Sequence, residues 1–357
     1  IRETGTPYHE ALKGYHPKQE RPLPESDVED EKLLNKFHPD HIAESLTTLK
    51  VGVNHGDPCH RQLADLLQSD SRINEADLAG AATVETDVLV IGGGGAGCAA
   101  ALIAQQQGAR VILATKLRLG DSNTVMAEGG IQASINKDDS PQFHYNDTIK
   151  AGHHQSEPDL VSQLVLDGPD VIRWLIQQGM QFDLDEFGDL LTRRAGGTSA
   201  DRICFYRDYT GLEMMRVLRE SVHNSNIDVW DYCPTVELLG DDLGGCSGAV
   251  ISSLKNRKYI QVNAKSVIIA TGGIGRMHLN GFPTSNHFGA TGDGLVLAYR
   301  MGAKLRDLDS FQYHPTGLAH PFHLAGSLIT EGVRSCGTYL LNGKGERFVD
   351  ELSARDL

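Results

Sequence analysis

Apolar runs and glycines alternate most regularly between residues 86 and 116, in the segment "TDVLVIGGGGAGCAAALIAQQQGARVILATK". A β-branched apolar run from Val88 to Ile91 leads into glycines and then into an Ala-rich stretch. Gly108 precedes a second apolar run, from Val111 to Leu113. Strand, helix and strand of these lengths make a βαβ unit. The pattern therefore predicts an α/β fold with a Rossmann-like, nucleotide-binding sheet.

The glycines between this strand and helix match the spacing G-x-G-x-x-G at Gly92, Gly94 and Gly97. The first glycine of that motif makes a tight turn, the second lets the backbone approach a pyrophosphate, and the third allows the helix to pack closely on the strand. Between two predicted strands the motif indicates dinucleotide binding, and the alternative is a glycine-rich turn without a ligand. The acidic residue expected after the second strand is replaced by Thr115 and Lys116, which disfavours NAD more than FAD.

Three later segments repeat the combination of glycines with a strand or helix end. They are "LGDSNTVMAEGGIQA" (119–133), "SVIIATGGIGR" (266–276) and "ATGDGLVLAYRMGA" (290–303). The first could instead be a solvated loop. A cofactor held at several points must be long, which favours FAD. The residues predicted to bind it are Gly92, Gly94, Gly95, Ala96, Gly97, Thr115, Lys116, Ser122, Asn123, Thr124, Glu128, Gly129, Gly130, Ala270, Thr271, Gly272 and Asp293.

Composition excludes several classes of function. The chain has 357 residues, of which 40% are hydrophobic, and it contains no run of apolar residues long enough to span a bilayer. We therefore expect a soluble, globular protein. Its 33 basic and 47 acidic residues give a net charge of −14, which opposes attraction to nucleic acid.

The six cysteines, at 59, 98, 204, 233, 246 and 336, show no C-x-x-C spacing. We therefore predict no metal site and no iron–sulfur cluster in this chain. The apolar surroundings of Cys98 and Cys204 are typical of reduced, buried thiols. This indicates a reducing, cytoplasmic compartment.

Three regions are expected along the chain. Residues 1–83 are rich in Pro, His and acidic residues and are interpreted as an N-terminal extension that wraps on the rest, the alternative being a partly disordered tail. A short helix is predicted within "HRQLADLLQ" at 60–68. Residues 84–310 are assigned to the FAD-binding domain, and 311–357 to the start of an inserted capping domain that the chain does not complete.

Six motifs in a fixed order then carry a resemblance: "GGGGAG", "SNTVMAEGGI", "ATGGIG", "TGDG", "HPTG" and "TEGVR". From about residue 86 onward the chain resembles the succinate dehydrogenase and fumarate reductase flavoprotein family, which includes L-aspartate oxidase. The resemblance implies a dicarboxylate site between the FAD domain and the capping domain. It implies substrate binding by His314, Thr330 and Phe182, a proton relay through Glu331 and Arg334, and Arg355 as the proton-donating acid.

The resemblance also implies how the protein is used. FAD would exchange a hydride with a C4 dicarboxylate, and electrons would pass to or from an iron–sulfur partner subunit. Through that partner and membrane-anchor subunits the protein could lie on the inner face of a membrane. Asn123 stands where many relatives have a histidine bonded to FAD, so the flavin is expected to be non-covalent.

Two alternatives stay open at this point. One is an enzyme of the L-aspartate oxidase type, and the other is a non-catalytic FAD electron-transfer subunit. The sequence Ser335-Cys336-Gly337 stands where the family usually has Gly-Glu-Gly, and Ser335 and Cys336 favour the non-catalytic interpretation. The end of the chain at Leu357, inside the expected capping domain, favours the non-catalytic interpretation, whereas His314, Glu331, Arg334 and Arg355 argue against it.

Overall fold

A computed structural model describes residues 44–277 and 284–347 of the chain. Its centre is a six-stranded sheet in the order β8-β4-β3-β11-β10-β9. The strands of this sheet are β3 (Ala82–Ile91), β4 (Val111–Thr115), β8 (Asp228–Asp231), β9 (Thr235–Gly240), β10 (Cys246–Ser253) and β11 (Lys258–Ile269).

Four of these strands, β8, β4, β3 and β11, run parallel, while β10 and β9 add an antiparallel extension. The run Leu89–Ile91 is buried on both faces because one apolar cluster covers each side of the sheet. β3 is longer than the predicted run and begins at Ala82, two residues before the boundary expected at 84. β4 also continues past the prediction, to Thr115.

Seven helices accompany these strands in the described ranges. They are α1 (Arg61–Leu67), α2 (Gly95–Gln106), α3 (Pro141–Ala151), α4 (Pro158–Gln177), α5 (Thr210–His223), α6 (Asp293–Arg300) and α7 (Glu331–Ser335). α2 crosses from β3 to β4, which confirms the predicted βαβ unit. None of the helices described combines the length and the hydrophobicity needed to cross a bilayer.

A small second sheet lies beside the main one and has the order β5-β7-β6. Its strands are β5 (Ile131–Gln132), β6 (Thr192–Arg193) and β7 (Ile203–Cys204). β7 pairs antiparallel with both neighbours, so Ile203 is opposite Gln132 on one side and Arg193 on the other. This sheet connects the segment around residue 129 with the segment around residue 193.

The described part of the predicted extension is folded onto the main domain. β1 (Leu46–Thr48) and β2 (Pro58–His60) form a hairpin that leads into α1, which confirms the short helix predicted there. Leu63 and Leu67 of α1 share a buried cluster with Tyr299 of α6.

Residues 311–347 contain little regular structure. Besides α7 they hold a short 3₁₀ helix at Phe322–Leu324 and two isolated bridges, Gly317 with Leu328 and Leu341 with Arg347. That this stretch begins a capping domain stays a prediction.

Candidate functional site

The carboxyl ends of three adjacent parallel strands form one edge of the main sheet. Ile91 pairs in register with Ile269, and the Ala270 amide donates to the Ile91 carbonyl at 2.8 Å. The Gly92 amide donates to the Ala114 carbonyl, also at 2.8 Å. Parallel α/β sheets bind ligands outside this edge. The segments predicted to hold a cofactor therefore meet where a ligand is expected.

Two of the motif glycines are required by close backbone approach. Gly92 has φ +114°, and a Cβ there would lie 2.3 Å from the Ala270 carbonyl oxygen. A Cβ on Gly97, in the first turns of α2, would lie 1.8 Å from the Gly92 carbonyl oxygen. Gly97 thus lets α2 sit directly against the end of β3, which is the part assigned to the third glycine of the motif.

Polar side chains from the segment after β4 fold over the start of α2. Thr124 Oγ1 accepts from the Gly95 amide at 3.2 Å, and a Cβ on Gly94 would lie 3.2 Å from the Cβ of Ser122. Asn123 turns away from this contact, and its Oδ1 accepts from the His287 amide at 2.7 Å. Ser122, Asn123 and Thr124 therefore form one wall of a cleft.

Lys116 enters a polar network at the end of β4. Its Nζ donates to Thr291 Oγ1 at 2.7 Å and pairs with Asp293 Oδ2 at 2.5 Å. Asp293 follows Gly292, whose φ of +74° turns the chain into α6. The acidic residue usual at the end of β4 is replaced by Thr115 and Lys116. Asp293 brings a carboxylate to the same strand end from the other side of the cleft.

These walls enclose one open cleft, which we call the nucleotide cleft. It is lined by most of the predicted cofactor residues, namely Gly92, Gly94, Gly95, Ala96, Thr115, Lys116, Ser122, Asn123, Thr124, Ala270, Thr271, Gly272 and Asp293. Gly97 lies behind it, and Glu128, Gly129 and Gly130 are not part of its lining. That these residues bind FAD stays a prediction.

Sequence reasoning missed part of the lining. Pro234 and Thr235 enter from the start of β9, and His287 and Gly289 from the loop before α6. The Thr235 Oγ1 atom is buried and finds no hydrogen-bond partner among the residues described. His287 and Gly289 directly precede the "TGDG" motif, so that motif could have pointed to them. No motif in the local sequence marks Thr235.

A second cluster, which we call the substrate locus, brings together four of the predicted substrate and relay residues. Arg334 Nη1 donates to Thr316 Oγ1 at 2.5 Å, and Thr316 Oγ1 donates to the Ile329 carbonyl at 2.9 Å. His314 Nδ1 lies 2.9 Å from the Thr316 carbonyl oxygen. The "HPTG" and "TEGVR" motifs, more than ten residues apart in sequence, thus converge on Thr316.

α7 supplies the remaining members of the locus. Thr330 caps its amino terminus, with Oγ1 accepting from the Gly332 amide. Glu331 Oε1 accepts from the Gly196 amide at 3.2 Å, which ties the helix to the loop after β6. Burial and the nearby Asp208 raise the pKa of Glu128, and the field of His314 opposes them.

One predicted substrate residue, Phe182, lies outside the substrate locus. Phe182 is 7% exposed and belongs to the apolar cluster that also contains Met180 and Cys204. Arg355 lies outside the described residues. The roles predicted for both stay predictions.

Comparison with known proteins identifies the family. Residues 87–357 match the model of the FAD binding domain family, which covers most of the chain. A relative from Methanothermobacter marburgensis, part of its fumarate reductase (CoM/CoB), is 39% identical over 284 residues, which are 76% of this chain and 51% of that protein. The chain belongs to the succinate dehydrogenase and fumarate reductase flavoprotein family. It therefore uses FAD, as the sequence predicted.

Other members of this flavoprotein family are similar to the same extent. L-aspartate oxidase of Streptomyces coelicolor is 36% identical over 286 residues, 77% of this chain and 49% of that protein. A mutant of E. coli quinol fumarate reductase FrdA superposes with a TM-score of 0.69 at 34% identity, covering 74% of this chain and 44% of that chain. The chain spans about half the length of the curated relatives it matches. The predicted α/β fold of the flavoprotein family is confirmed.

The nucleotide cleft suits the flavoprotein family's cofactor. The amino terminus of α2 and the bare backbone at Gly92 and Gly94 can receive a pyrophosphate. Lys116, Asp293 and the Thr235 hydroxyl, which has no hydrogen-bond partner among the described residues, offer polar partners in a cleft that glycines and apolar residues also line. The residues present therefore fit a dinucleotide.

Proposed function

We propose that the chain is the cofactor- and substrate-binding part of an oxidoreductase that transfers a hydride between FAD and a C4 dicarboxylate of the fumarate and succinate type. The convergence of His314, Thr330, Glu331 and Arg334 in the substrate locus carries this proposal. Its support is the hydrogen bonding around Thr316 and the docking of Glu331 on Gly196.

FAD would occupy the nucleotide cleft without a covalent bond. The position at which many relatives carry the linking histidine is Asn123, and its side-chain oxygen is used in a hydrogen bond to the His287 amide. FAD supplies the hydride chemistry, while this chain's residues bind and orient both partners. Denaturation in acid should release all of the flavin, and flavin retained by the unfolded polypeptide would contradict this.

The locus can stabilise the charge that hydride transfer creates. Reduction of an alkene between two carboxylates places negative charge on the second carbon and its carboxylate, and fixed donors lower the energy of that charge. In the proposal His314 and Thr330 hold carboxylate oxygens. Glu331 and Arg334, at positions i and i+3 of α7, would pass a proton between them. Arg355 would be the group that donates that proton to carbon.

Electrons would be exchanged with an iron–sulfur partner subunit. In the part of the chain that the structure describes, no group of three or more His, Cys, Asp or Glu side chains could hold a metal ion. Cys59, Cys98, Cys204 and Cys233 are buried and unpaired to one another, and Cys336 is exposed. We place the protein in the cytoplasm or, through its partners, on the inner face of a membrane.

An anaerobic titration tests the proposed reaction. The complete, purified protein is reduced chemically, fumarate is added, and the flavin absorbance is followed. Rapid reoxidation with succinate as product is expected. If the reduced flavin does not respond to fumarate and is reoxidised only when oxygen is admitted afterwards, the proposal is overturned. An electron-transfer role would then remain for the bound FAD.

An L-aspartate oxidase-type reaction is the second candidate. It is supported by the similarity to the Streptomyces coelicolor enzyme and by the residue Asn123 at the linking position. Incubation of the oxidised protein with L-aspartate separates the two candidates. Flavin reduction with formation of an imino or keto acid would favour the oxidase.

A further inference from the structure

Arg193, at the end of β6, is fixed between a ring and a backbone carbonyl. Its guanidinium carbon lies 4.3 Å from the centre of the buried Phe205 ring. Its Nη2 donates to the Gly129 carbonyl at 2.9 Å. A guanidinium stacked on an aromatic face keeps a defined plane, because the ring attracts the cation and the flat group packs on it. The direction of its remaining donors is therefore largely set.

The backbone beneath Arg193 is equally constrained. Gly130 has φ +116°, and a Cβ there would lie 2.4 Å from Ile203 Cγ2 and 3.2 Å from Phe205 Cβ. Only glycine permits β5 to come this close to β7. That close approach keeps the Gly129 carbonyl within reach of the guanidinium.

The other side of Arg193 faces the substrate locus. Its Nη1 would lie 3.6 Å from a Cβ built on Gly332, in the first turn of α7. The loop that follows Arg193 is attached to the same turn through the hydrogen bond from the Gly196 amide to Glu331. Arg193 therefore lies between the Glu128–Gly129 segment and the residues proposed to bind a carboxylate.

Much of the hydrogen-bonding capacity of Arg193 is available. Within 44–277 and 284–347, no hydrogen bond is made by its Nε or Nη1, and the carboxylate paired with it is Asp208, at 3.9 Å. That pair is loose and Asp208 is 59% exposed, so it contributes little. Arg334, by contrast, already donates to Thr316. The side chain of Arg193 keeps 31% of its surface open to solvent, so a ligand can reach it.

We propose that Arg193 is a specificity-determining residue that binds one carboxylate of the dicarboxylate, a role that rests on the proposed function. A dianion entering a chain of net charge −14 needs local cations to offset repulsion. The planar fork of arginine matches a carboxylate, and stacking on Phe205 means that little side-chain freedom is lost on binding. Arg193 thereby discriminates a dicarboxylate from a monocarboxylate of the same shape.

A merely structural role makes a different prediction. If Arg193 only held the Gly129 carbonyl, its loss would disturb all ligands alike. Fumarate and crotonate separate the two roles, because crotonate has a methyl group where fumarate has its second carboxylate. Only direct binding of a carboxylate makes the loss larger for fumarate than for crotonate.

The experiment is a ligand titration of the complete, FAD-loaded protein, followed by the change in flavin absorbance. Variants Arg193→Gln and Arg193→Lys are compared with Arg207→Gln, an exposed arginine whose guanidinium lies over the Tyr206 ring. FAD content and the melting temperature establish that each variant is folded. The Kd for fumarate and for crotonate and the KM and kcat for fumarate are measured.

For Arg193→Gln we expect fumarate binding to weaken on the order of 10- to 100-fold, with crotonate changed by less than about 3-fold. Arg193→Lys should recover part of the loss, and Arg207→Gln should match the wild type. Equal losses for both ligands, no loss at all, or the same loss in Arg207→Gln would overturn the role of Arg193 while leaving the proposed function intact. A wild-type protein that binds FAD but shows no response to fumarate would overturn both.

Discussion

The nucleotide cleft and the substrate locus are built in different ways. The cleft is formed by the ends of adjacent strands whose main chains are hydrogen-bonded to one another, as at Ile91 and Ala270. The locus is formed by loops and one short helix, joined through single side-chain contacts such as Arg334 to Thr316 and Glu331 to Gly196. Backbone pairing fixes the first, whereas a few side chains fix the second.

This difference means that cofactor binding and turnover should be separable. A change in the cleft disturbs main-chain packing and should remove FAD and all activity together. A change in the locus removes a side chain from loops that do not support the sheet. It should abolish turnover while FAD remains bound.

Replacement of Gly97 by Ala should have the largest effect on the cleft. The new Cβ would lie 1.8 Å from the Gly92 carbonyl oxygen, so α2 must move away from β3. We expect a loss of about 3 kcal/mol or more in the free energy of unfolding, together with loss of FAD from the purified protein. Chemical denaturation and the ratio of flavin to protein absorbance measure the two effects.

Gly168→Ala is the matched control, because it is the same substitution inside α4, with its nearest neighbour at 3.7 Å. It should bind FAD normally and change the free energy of unfolding by less than about 1 kcal/mol, because the higher helix propensity of alanine is opposed by crowding between its Cβ and the ring of Pro169. Full FAD occupancy in Gly97→Ala would show that the close approach at Gly92 does not matter.

In the locus, Glu331→Gln should abolish most turnover without loss of flavin. Glutamine can still accept from the Gly196 amide, so the position of α7 is kept while the ability to pass a proton is lost. The kcat for fumarate should fall by about 10²- to 10⁴-fold. Steady-state kinetics with a dye donor, beside the FAD content, gives the comparison. A variant that loses its FAD as well would contradict the separation of the two regions.

The sequence predicted the cleft well because its determinants are local. Gly92 and Gly97 lie within a single strand–turn–helix unit, so a spacing rule is enough to find them. Lys116 and Asp293, which pair with each other, are 177 residues apart in sequence. Each is nevertheless marked locally, Lys116 by the strand that precedes it and Asp293 by Gly292. Thr235 has no such signal, because it reaches the cleft only through the order of strands in the sheet.

The substrate locus was predicted only through family resemblance. Nothing in the spacing of His314 and Arg334 indicates that both would meet Thr316, since the chain between them has no helical or strand period. Arg193 was missed for the same reason. Its neighbours Gly129 and Phe205 lie just before β5 and just after β7, and the pairing that brings them to Arg193 is a tertiary property.

The small sheet that joins the two regions is supported by a buried ionic cluster. Arg202 has no exposed surface, and its guanidinium donates to Asp139 at 2.9 Å and to Asp147 at 2.6 Å. Arg202→Met would leave Asp139 buried without a partner and should cost about 3 to 5 kcal/mol. Arg173→Met, which breaks an exposed pair with Asp170, should cost less than about 1 kcal/mol. Urea denaturation compares the two, and similar midpoints would contradict a supporting role for the cluster.

The smallest expected effect is a pH dependence of the free energy of unfolding, which arises from His144 beside the same ionic cluster. His144 on α3 is 4% exposed, and burial, followed by the charge of Arg202, lowers its pKa below the ordinary 6.5. The unfolded chain therefore takes up this proton at a higher pH than the folded one. Stability from His144 is complete above pH 6.5 and is lost as the pH falls below it, by at most about 1.4 kcal/mol per pH unit.

His144→Gln removes this titration and should flatten the fall in unfolding free energy on acidification from pH 6.5. The same substitution at the exposed His154 serves as control and should keep the wild-type slope. Below pH 3.8 the loss continues in every variant. Burial raises the pKa of Asp147, but its hydrogen bonds from Ser199 and Arg202 outweigh burial and hold that pKa below 3.8.

If the substrate locus depends on the small sheet more than the cleft does, fumarate binding should weaken in acid before FAD is released. Simultaneous loss of both would show that the two regions unfold as one unit.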